Sequence, residues 1–574
     1  MLQADALVGS RSEYTSWVLI ALLVATLAAL RLSGPPDLMN FAQQPPAAYT
    51  LDILHNGHWI CQCDDKGEIT SKPPLYTWLA ALTAQMFERP NRFSLSFPAI
   101  ASTALLSILV FEVGRRRFGW AAGWLAVTTY ITTPTAAKQV ALVRTDALFA
   151  LMVALTALAA WQAWTTGRGW TWFWLAAAGA TLTKGPLGLL LGAAGLGAVF
   201  WEKRTGHPTS LRGSHWTGVV VYLGLTVGWF ALAWWQMGRP LIDKMFGQEL
   251  VGNAIYAHDT TVFPGRWFYK PPLYFLAQFA PWSVIACVDF WRIWRWPAAD
   301  DTERRLERFL FCWIWVGMIP FCLGASQRND HLMPLMPAVA VLVGREMALW
   351  RWLKARRRVI ALVAVSILLG FMAGAFYQWA TSQDNPYVSR TKQVQAMARW
   401  LEMAGAADLP LSHVDSPFAL QFYLNTMRPT VSFERAAKML AGDATVFVAV
   451  HDLARLKKSF AGRWDALYEV ARSSSADDAW VAIISNHPRL EWTPRMAVAV
   501  GPFTVRMQGV RLVDTRGNQF VFASRDQAAT PHRIAITNES KTAQSVRIQW
   551  QEQAARTVQD RHLAPGETWE LGAR

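Results

Sequence analysis

Residues 143–186 read VRTDALFALMVALTALAAWQAWTTGRGWTWFWLAAAGATLTKGP. Two apolar runs, Asp146–Trp164 and Trp170–Leu182, are joined by Gly167-Arg168-Gly169, and Arg144, Asp146 and Lys184 lie at the ends away from the join. A spanning helix needs about 20 mainly apolar residues, with about 17–25 as the working range. Backbone polar groups find no water in lipid, so such a run satisfies them as helix. The stretch therefore reads as a membrane hairpin with its ionisable side chains gathered at one mouth.

Working outward, about eleven runs of this kind are present. They lie at Tyr14–Leu32, Ser94–Val113, Phe118–Thr133, Asp146–Trp164, Trp170–Leu182, Leu187–Trp201, Gly218–Trp235, Pro272–Phe290, Phe309–Gly324, Pro334–Trp350 and Val359–Ala380. The whole chain agrees: of 574 residues, 53% are hydrophobic and 17% charged, with 31 tryptophans. A soluble domain rarely exceeds about 250–300 residues and carries about a quarter charged residues, which excludes an ordinary cytosolic enzyme. The net charge of +15 does not indicate nucleic acid, because Lys and Arg cluster between apolar runs, as at Arg115–Arg117 and Arg356–Arg358. Five cysteines are too few for a disulfide scaffold, and Cys61-Gln62-Cys63 alone is a weak metal or redox signal.

The first run meets Ser33-Gly34-Pro35-Pro36 without a small-residue cleavage pattern, so it reads as an uncleaved anchor. With a cytoplasmic N-terminus, the cationic segments Arg115–Arg117, Lys203-Arg204, Arg292–Arg308 and Arg351–Arg358 fall inside. That places residues 1–383 in the membrane region, with a large first outer loop over 33–93. Residues 384–490 read as an extracytoplasmic α/β domain and 491–574 as a β-rich, sandwich-like tail, from their alternating short strands and turn signals.

The outer segments hold the candidate chemistry. The first loop carries Asp52, His55, His58, Cys61, Cys63, Asp64, Asp65 and Glu68 before Ser71-Lys72-Pro73-Pro74-Leu75, and loops of that length are functional or disordered. Leu79–Phe87 has the look of an interfacial amphipathic helix, setting Lys72 at headgroup level where an ammonium meets a lipid phosphate or simply snorkels. Asp146 opens a span beside Arg144: it is either a helix-terminal partner of the dipole or a proton acceptor. Lys184, Arg328, His331 and Arg266 complete an outer rim suited to phosphate or diphosphate on a lipid carrier, since fixed positive charge stabilises a phosphate leaving group.

The ordered set Lys72-Pro73-Pro74-Leu75, Arg144-Thr145-Asp146, Lys184-Gly185-Pro186, Pro281-Trp282 and Pro334-Leu335-Met336-Pro337 resembles the GT-C glycosyltransferases, in particular the aminoarabinose transferase and protein mannosyltransferase (family 39-like) branch. The resemblance covers about Tyr14 to Ala380. It implies a polytopic α-helical, GT-C-like fold of about 11–13 spans, and a hexosyl- or pentosyltransferase taking sugar from an undecaprenyl-phosphate-type donor. The acceptor is a lipid, glycan or protein at the periplasmic face of a bacterial inner membrane; membrane lipids are partners and nucleic acid is not. By position, Lys72 matches the family lysine on the donor phosphate and Asp146 the second family acid, while His331 stands where the transferase has tyrosine.

The chain departs from the family at Ala42-Gln43, where the first-loop acid is expected. Asp52, Asp37 or the Asp64-Asp65 pair are the substitutes, with Asp52 first, so the expected catalytic residues are Asp146 and Asp52. The expected donor-phosphate residues are Lys72, Arg144, Arg328, His331, Lys184 and Arg266. No metal ligand is assigned, since Ser71 replaces an acid; a divalent metal is compatible with the sequence and not required by it. The alternatives are a transporter or flippase for a lipid-linked sugar and a non-catalytic membrane scaffold.

Overall fold

The structure is a computed structural model that describes residues 2–34, 38–39, 42–207, 209–252, 256–257, 260–261, 266–324, 327–383, 385–403, 411–460, 462–474, 480–488, 496–508, 510–516, 518–524, 533–550 and 558–572. The contacts divide the chain into two compact units: residues 1–34, 71–83 and 92–383, and residues 35–70, 84–91 and 384–574. Most of the first outer loop thus groups with the C-terminal region.

The first unit is helical. Six described helices are long and apolar enough to cross a membrane: Glu13–Ser33, Arg92–Phe118, Asp146–Thr166, Trp216–Met237, Asp301–Leu323 and Arg356–Ala380. Lys270–Gln278 and Ser283–Arg295 form a seventh only as a pair bent by 118°. The protein is therefore a multi-pass membrane protein. The other runs expected as spans fold into shorter helices, Trp120–Ile131, Trp170–Lys184, Leu187–Ala193 with Gly197–Arg204, and Met336–Ala348. The last is buried from Met336 to Met347, so its apolar residues face other helices. A run of apolar letters cannot distinguish a lipid neighbour from a protein one.

Close packing there depends on glycine. A Cβ on Gly344 would lie 2.6 Å from the carbonyl oxygen of Ala122 and 2.6 Å from the amide nitrogen of Ala126, both backbone atoms of Trp120–Ile131 that cannot swing away. Gly344→Ala is accordingly expected to destabilise the helical unit by about 1–3 kcal/mol, read as a lowered melting temperature of the detergent-solubilised protein. Unchanged melting would mean that the two helices separate freely at this crossing.

The second unit has two parts. Strands Ser412–His413, Phe447–Val450, Ala482–Ser485 and Tyr468–Arg472 form one mixed four-stranded sheet in that order. Its core includes Val448, Val450 and Ile484 against Leu440 and Leu456 of the flanking helices. Beyond it, two four-stranded sheets built from Met496 to Leu571 share buried Phe503, Phe520 and Phe522. Arg435 of the α/β part donates to the carbonyls of Gly501 and Phe503, and Ala499 N–H donates to Ser412 Oγ, which ties the parts into one unit.

Candidate functional site

The hairpin of residues 143–186 forms as its pattern requires. Asp146–Thr166 ends at Gly167, whose φ of 71° suits glycine, and Trp170–Lys184 returns alongside it. The N-terminus of one helix and the C-terminus of the other therefore share an end, with an acid at the positive dipole end and a lysine at the negative one. Lys184 Nζ donates to Asp146 Oδ1 at 2.6 Å. Arg144 Nη2 lies 3.2 Å from Asp146 Oδ2, and its Nη1 donates to Asp330 Oδ2 at 2.9 Å. The Asp146 carboxylate is buried, with a cation on each oxygen.

Around this pair the structure gathers more charge. Asp330 opens the 3₁₀ segment Asn329–Leu335, with Lys138 Nζ at 3.4 Å and Arg328 Nη2 at 3.7 Å. Burial works against the Asp330 anion, but Lys138 and Arg144 prevail and hold its carboxyl below the usual carboxylate range. Lys72 stands before the helix Leu75–Ala84, which is anchored by the buried Tyr76 donating to the Leu95 carbonyl, and its charge acts on both Asp146 and His331. Burial, then the Lys184 charge, pushes the His331 imidazole down to about 3, so it is neutral near pH 7 and packs beside Phe321. Two carboxylates thus meet five cations, Lys72, Lys138, Arg144, Lys184 and Arg328, leaving an excess of three positive charges. Such an excess in a partly desolvated setting attracts a phosphate.

Lys72, Arg144, Asp146, Lys184, Arg328 and His331 therefore belong to one network. Arg266 is exposed, with its guanidinium 5.1 Å from the centre of the Trp267 ring, and is not among the described ion pairs of that network. Lys138 and Asp330 were not singled out as site residues from sequence. Lys138 sits on the short helix Pro134–Gln139, and its only signal was a cation in an outer segment. Asp330 adjoined Arg328 and His331, but no local pattern shows that an acid will bridge to Arg144 from so far along the chain.

Asp52 belongs to the other compact unit and is buried on the helix Gln44–Asn56. Both oxygens are occupied by protein donors. Asn56 Nδ2 donates to Oδ1 at 2.7 Å, the Cys63 amide donates to Oδ2 at 2.8 Å, and His58 Nδ1 lies 3.1 and 3.0 Å from the two. Burial pushes Asp65 up to about 6, while Asp64 Oδ1 accepts the amides of Lys66 and Glu68 in a tight turn. Asp37 lies outside the described residues. Among the described residues, no group of three or more His, Cys, Asp or Glu side chains is arranged to hold a metal ion.

The fold has close solved counterparts in shape. ArnT from Cupriavidus metallidurans, solved bound to undecaprenyl phosphate, superposes with a TM-score of 0.65 at 18% identity, over 84% of this chain and 99% of ArnT. The chain shares the fold of ArnT. The apo form of the same ArnT superposes on this chain with a TM-score of 0.64 at 16% identity. Residues 71–234 match the family model of the dolichyl-phosphate-mannose-protein mannosyltransferases, a stretch that contains Lys72, Lys138, Arg144, Asp146 and Lys184 of the helical unit. In sequence, the chain is 24% identical over 322 residues to an undecaprenyl phosphate-alpha-4-amino-4-deoxy-L-arabinose arabinosyl transferase 2 of Pseudomonas fluorescens, covering 54% of this chain and 55% of that protein. It is 25% identical over 345 residues to the arabinosyl transferase of Pseudomonas savastanoi pv. phaseolicola, covering 58% and 61%. The match spans little more than half the length of these curated relatives.

Proposed function

We propose that the protein is a membrane glycosyltransferase that moves a sugar from a polyprenyl-phosphate donor of the undecaprenyl type to a lipid, glycan or protein acceptor. The observation that carries this reading is the excess positive charge assembled around Asp146 and Asp330 within a GT-C fold. The relatives named for undecaprenyl phosphate-linked aminoarabinose support the donor class. In this reading Lys72, Arg144, Lys184 and Arg328 face the donor phosphate, and Lys138 and Asp330 hold them in place. Asp146 keeps the two cations bonded to it at fixed positions, and neutral His331 offers a hydrogen bond without charge. The membrane is a bacterial inner membrane, and residues 384–490 and 491–574 face the periplasm as the acceptor side.

Transfer then proceeds with the acceptor oxygen attacking the anomeric carbon as the polyprenyl phosphate leaves, its growing charge met by groups already positioned. A cation paired with phosphate contributes about 1.5–3 kcal/mol, so Lys72→Ala is expected to weaken donor use by about 10- to 150-fold. The measurement is kcat/KM for undecaprenyl-phosphate sugars in proteoliposomes, beside binding of undecaprenyl phosphate followed by tryptophan fluorescence. Unaltered donor use in Lys72→Ala would remove this residue from the phosphate site. Deleting the gene should remove one sugar from the envelope, detected by mass spectrometry of lipids, glycans and proteins.

A further inference from the structure

Several cations of the helical unit are matched by acids of the same unit. Arg115 and Arg116 pair with Glu112, Arg292 with Glu346, Arg308 with Glu202 and Arg345 with Asp289. One segment is not matched. Residues 351–358 read RWLKARRR, and no Asp or Glu occurs from 347 to 383. The segment makes the 3₁₀ turn Arg351–Lys354 and then enters the helix Arg356–Gln383. Arg351, Lys354, Arg356, Arg357 and Arg358 are all exposed, and none of the five makes an ion pair among the described residues.

The fold holds these charges together. Leu353 and Val359 are buried within the segment and at its end. Arg356 lies 4.7 Å from the centre of the Trp120 ring, and Arg358 donates to the Trp352 carbonyl at 3.1 Å with its guanidinium 5.9 Å from that ring. Three of the five cations stand in the first turn of a helix, where the macrodipole is itself positive and disfavours them. Like charges this close repel, so the arrangement calls for an anion. Asp330 lies before the 13-residue helix Met336–Ala348 and Arg351 after it, which separates this cluster from the one around Asp146 and Asp330 by about 20 Å at 1.5 Å per residue. The span that starts here, Arg356–Ala380, has only 6% of its most apolar stretch buried, so lipid rather than protein surrounds it. Trp350 and Trp352 are exposed beside its entry, as tryptophans are at headgroup level.

We propose that residues 351–358 form a docking site for an anionic phospholipid, whose headgroup phosphate is held by these cations while its acyl chains lie along the helix Arg356–Gln383. Charge complementarity names the headgroup, and the lipid-surrounded span that leaves the cluster names the chains. A soluble anion would satisfy the charge but would use nothing of the apolar surface beside it. The bound lipid fixes where a span with little protein cover enters the membrane. The site lies wholly within the helical unit and is independent of the sugar-transfer reading.

The experiment uses the full-length protein in dodecyl maltoside with added phosphatidylglycerol, cardiolipin, phosphatidylethanolamine or inorganic phosphate, followed by native mass spectrometry and thermal melting. Phosphatidylglycerol and cardiolipin are expected to stay bound and to raise the melting temperature, since a ligand of the folded state stabilises it. Phosphatidylethanolamine and inorganic phosphate should do neither. Each cation near an anionic headgroup strengthens binding about fivefold, so the triple change Arg351→Gln, Lys354→Gln and Arg357→Gln is expected to weaken phosphatidylglycerol binding about 100-fold. Arg356 and Arg358 are left in place because they pack on Trp120 and Trp352. A control triple, Arg168→Gln, Lys203→Gln and Arg204→Gln, removes the same charge from exposed positions elsewhere in the unit and should bind within about threefold of wild type. Equal losses in both triples would reduce the effect to net charge and overturn the site. Phosphatidylethanolamine binding as tightly as phosphatidylglycerol, or inorganic phosphate giving the same rise in melting temperature, also overturns it. Should the site triple fail to accumulate, the wild-type protein still decides: raising NaCl from about 0.05 to about 0.5 M should release phosphatidylglycerol, and binding indifferent to salt sinks the proposal.

Discussion

Asp146→Asn is expected to lower sugar transfer by about 100- to 1,000-fold while the protein still inserts and melts as a folded species. The carboxylate bonds Lys184 at 2.6 Å and Arg144 at 3.2 Å, so it sets where both cations stand. Asparagine has nearly the same shape but no charge. Lys184 and Arg144 would then face each other across a neutral amide in a desolvated pocket, where like charges repel strongly. Arg144 keeps its second anchor on Asp330, whereas Lys184 loses its carboxylate partner. The donor phosphate can still be drawn to the positive excess, so the loss should appear in kcat more than in the binding of undecaprenyl phosphate. Transfer by Asp146→Asn within about threefold of wild type would show that the cluster is not where the leaving group is stabilised, because one displaced donor alone costs about 2.7–4 kcal/mol.

Glu202→Gln is expected to cost about 3–5 kcal/mol of stability without touching the proposed phosphate site. Glu202 is fully buried on the helix Gly197–Arg204 and accepts from Arg308 at 2.7 Å and from Arg304 at 3.4 Å, with Arg305 at 3.8 Å. Arg308 also donates to Thr205 Oγ1 and lies over the Trp201 ring, so it cannot leave the site without further loss. Arg304 keeps Asp301 at 2.8 Å, but the buried Arg308 guanidinium loses its carboxylate, which is far costlier than breaking an exposed pair. Thermal unfolding in detergent should show a large drop in melting temperature or a failure to accumulate. The double change Glu202→Met with Arg308→Leu should recover much of it, since apolar replacement of both partners removes the stranded charge. A Glu202→Gln protein that melts like wild type would mean that water reaches the cluster.

Much of the architecture was legible in residue order. Asp146–Trp164 was readable as a span because apolar letters of the right number bounded by charge have few alternatives in lipid. Lys72, Arg144, Asp146, Lys184, Arg328 and His331 were all placed at one rim, and the structure joins them in one network. Met336–Ala348 was readable as apolar but not as a short helix enclosed by protein, because hydropathy measures a residue's preference and not its neighbour. Asp52 was legible as the first-choice acid of the first outer loop. That its oxygens would be taken up by Asn56, His58 and Cys63 followed from the turn at Gly57, which redirects the chain by a backbone angle rather than by composition.

What the sequence by itself determined is the solvent in which the chain folds and the kind of chemistry at its edge. Hydrophobic content and charge placement act residue by residue, so they survive without coordinates. What only the tertiary structure decided is which charges pair. Coulomb and hydrogen-bond energies depend on separations of a few ångström between groups far apart in the chain, as for Arg144 with Asp330. The same dependence on distance ties up the buried Asp52 with His58, whose ring stays partly exposed.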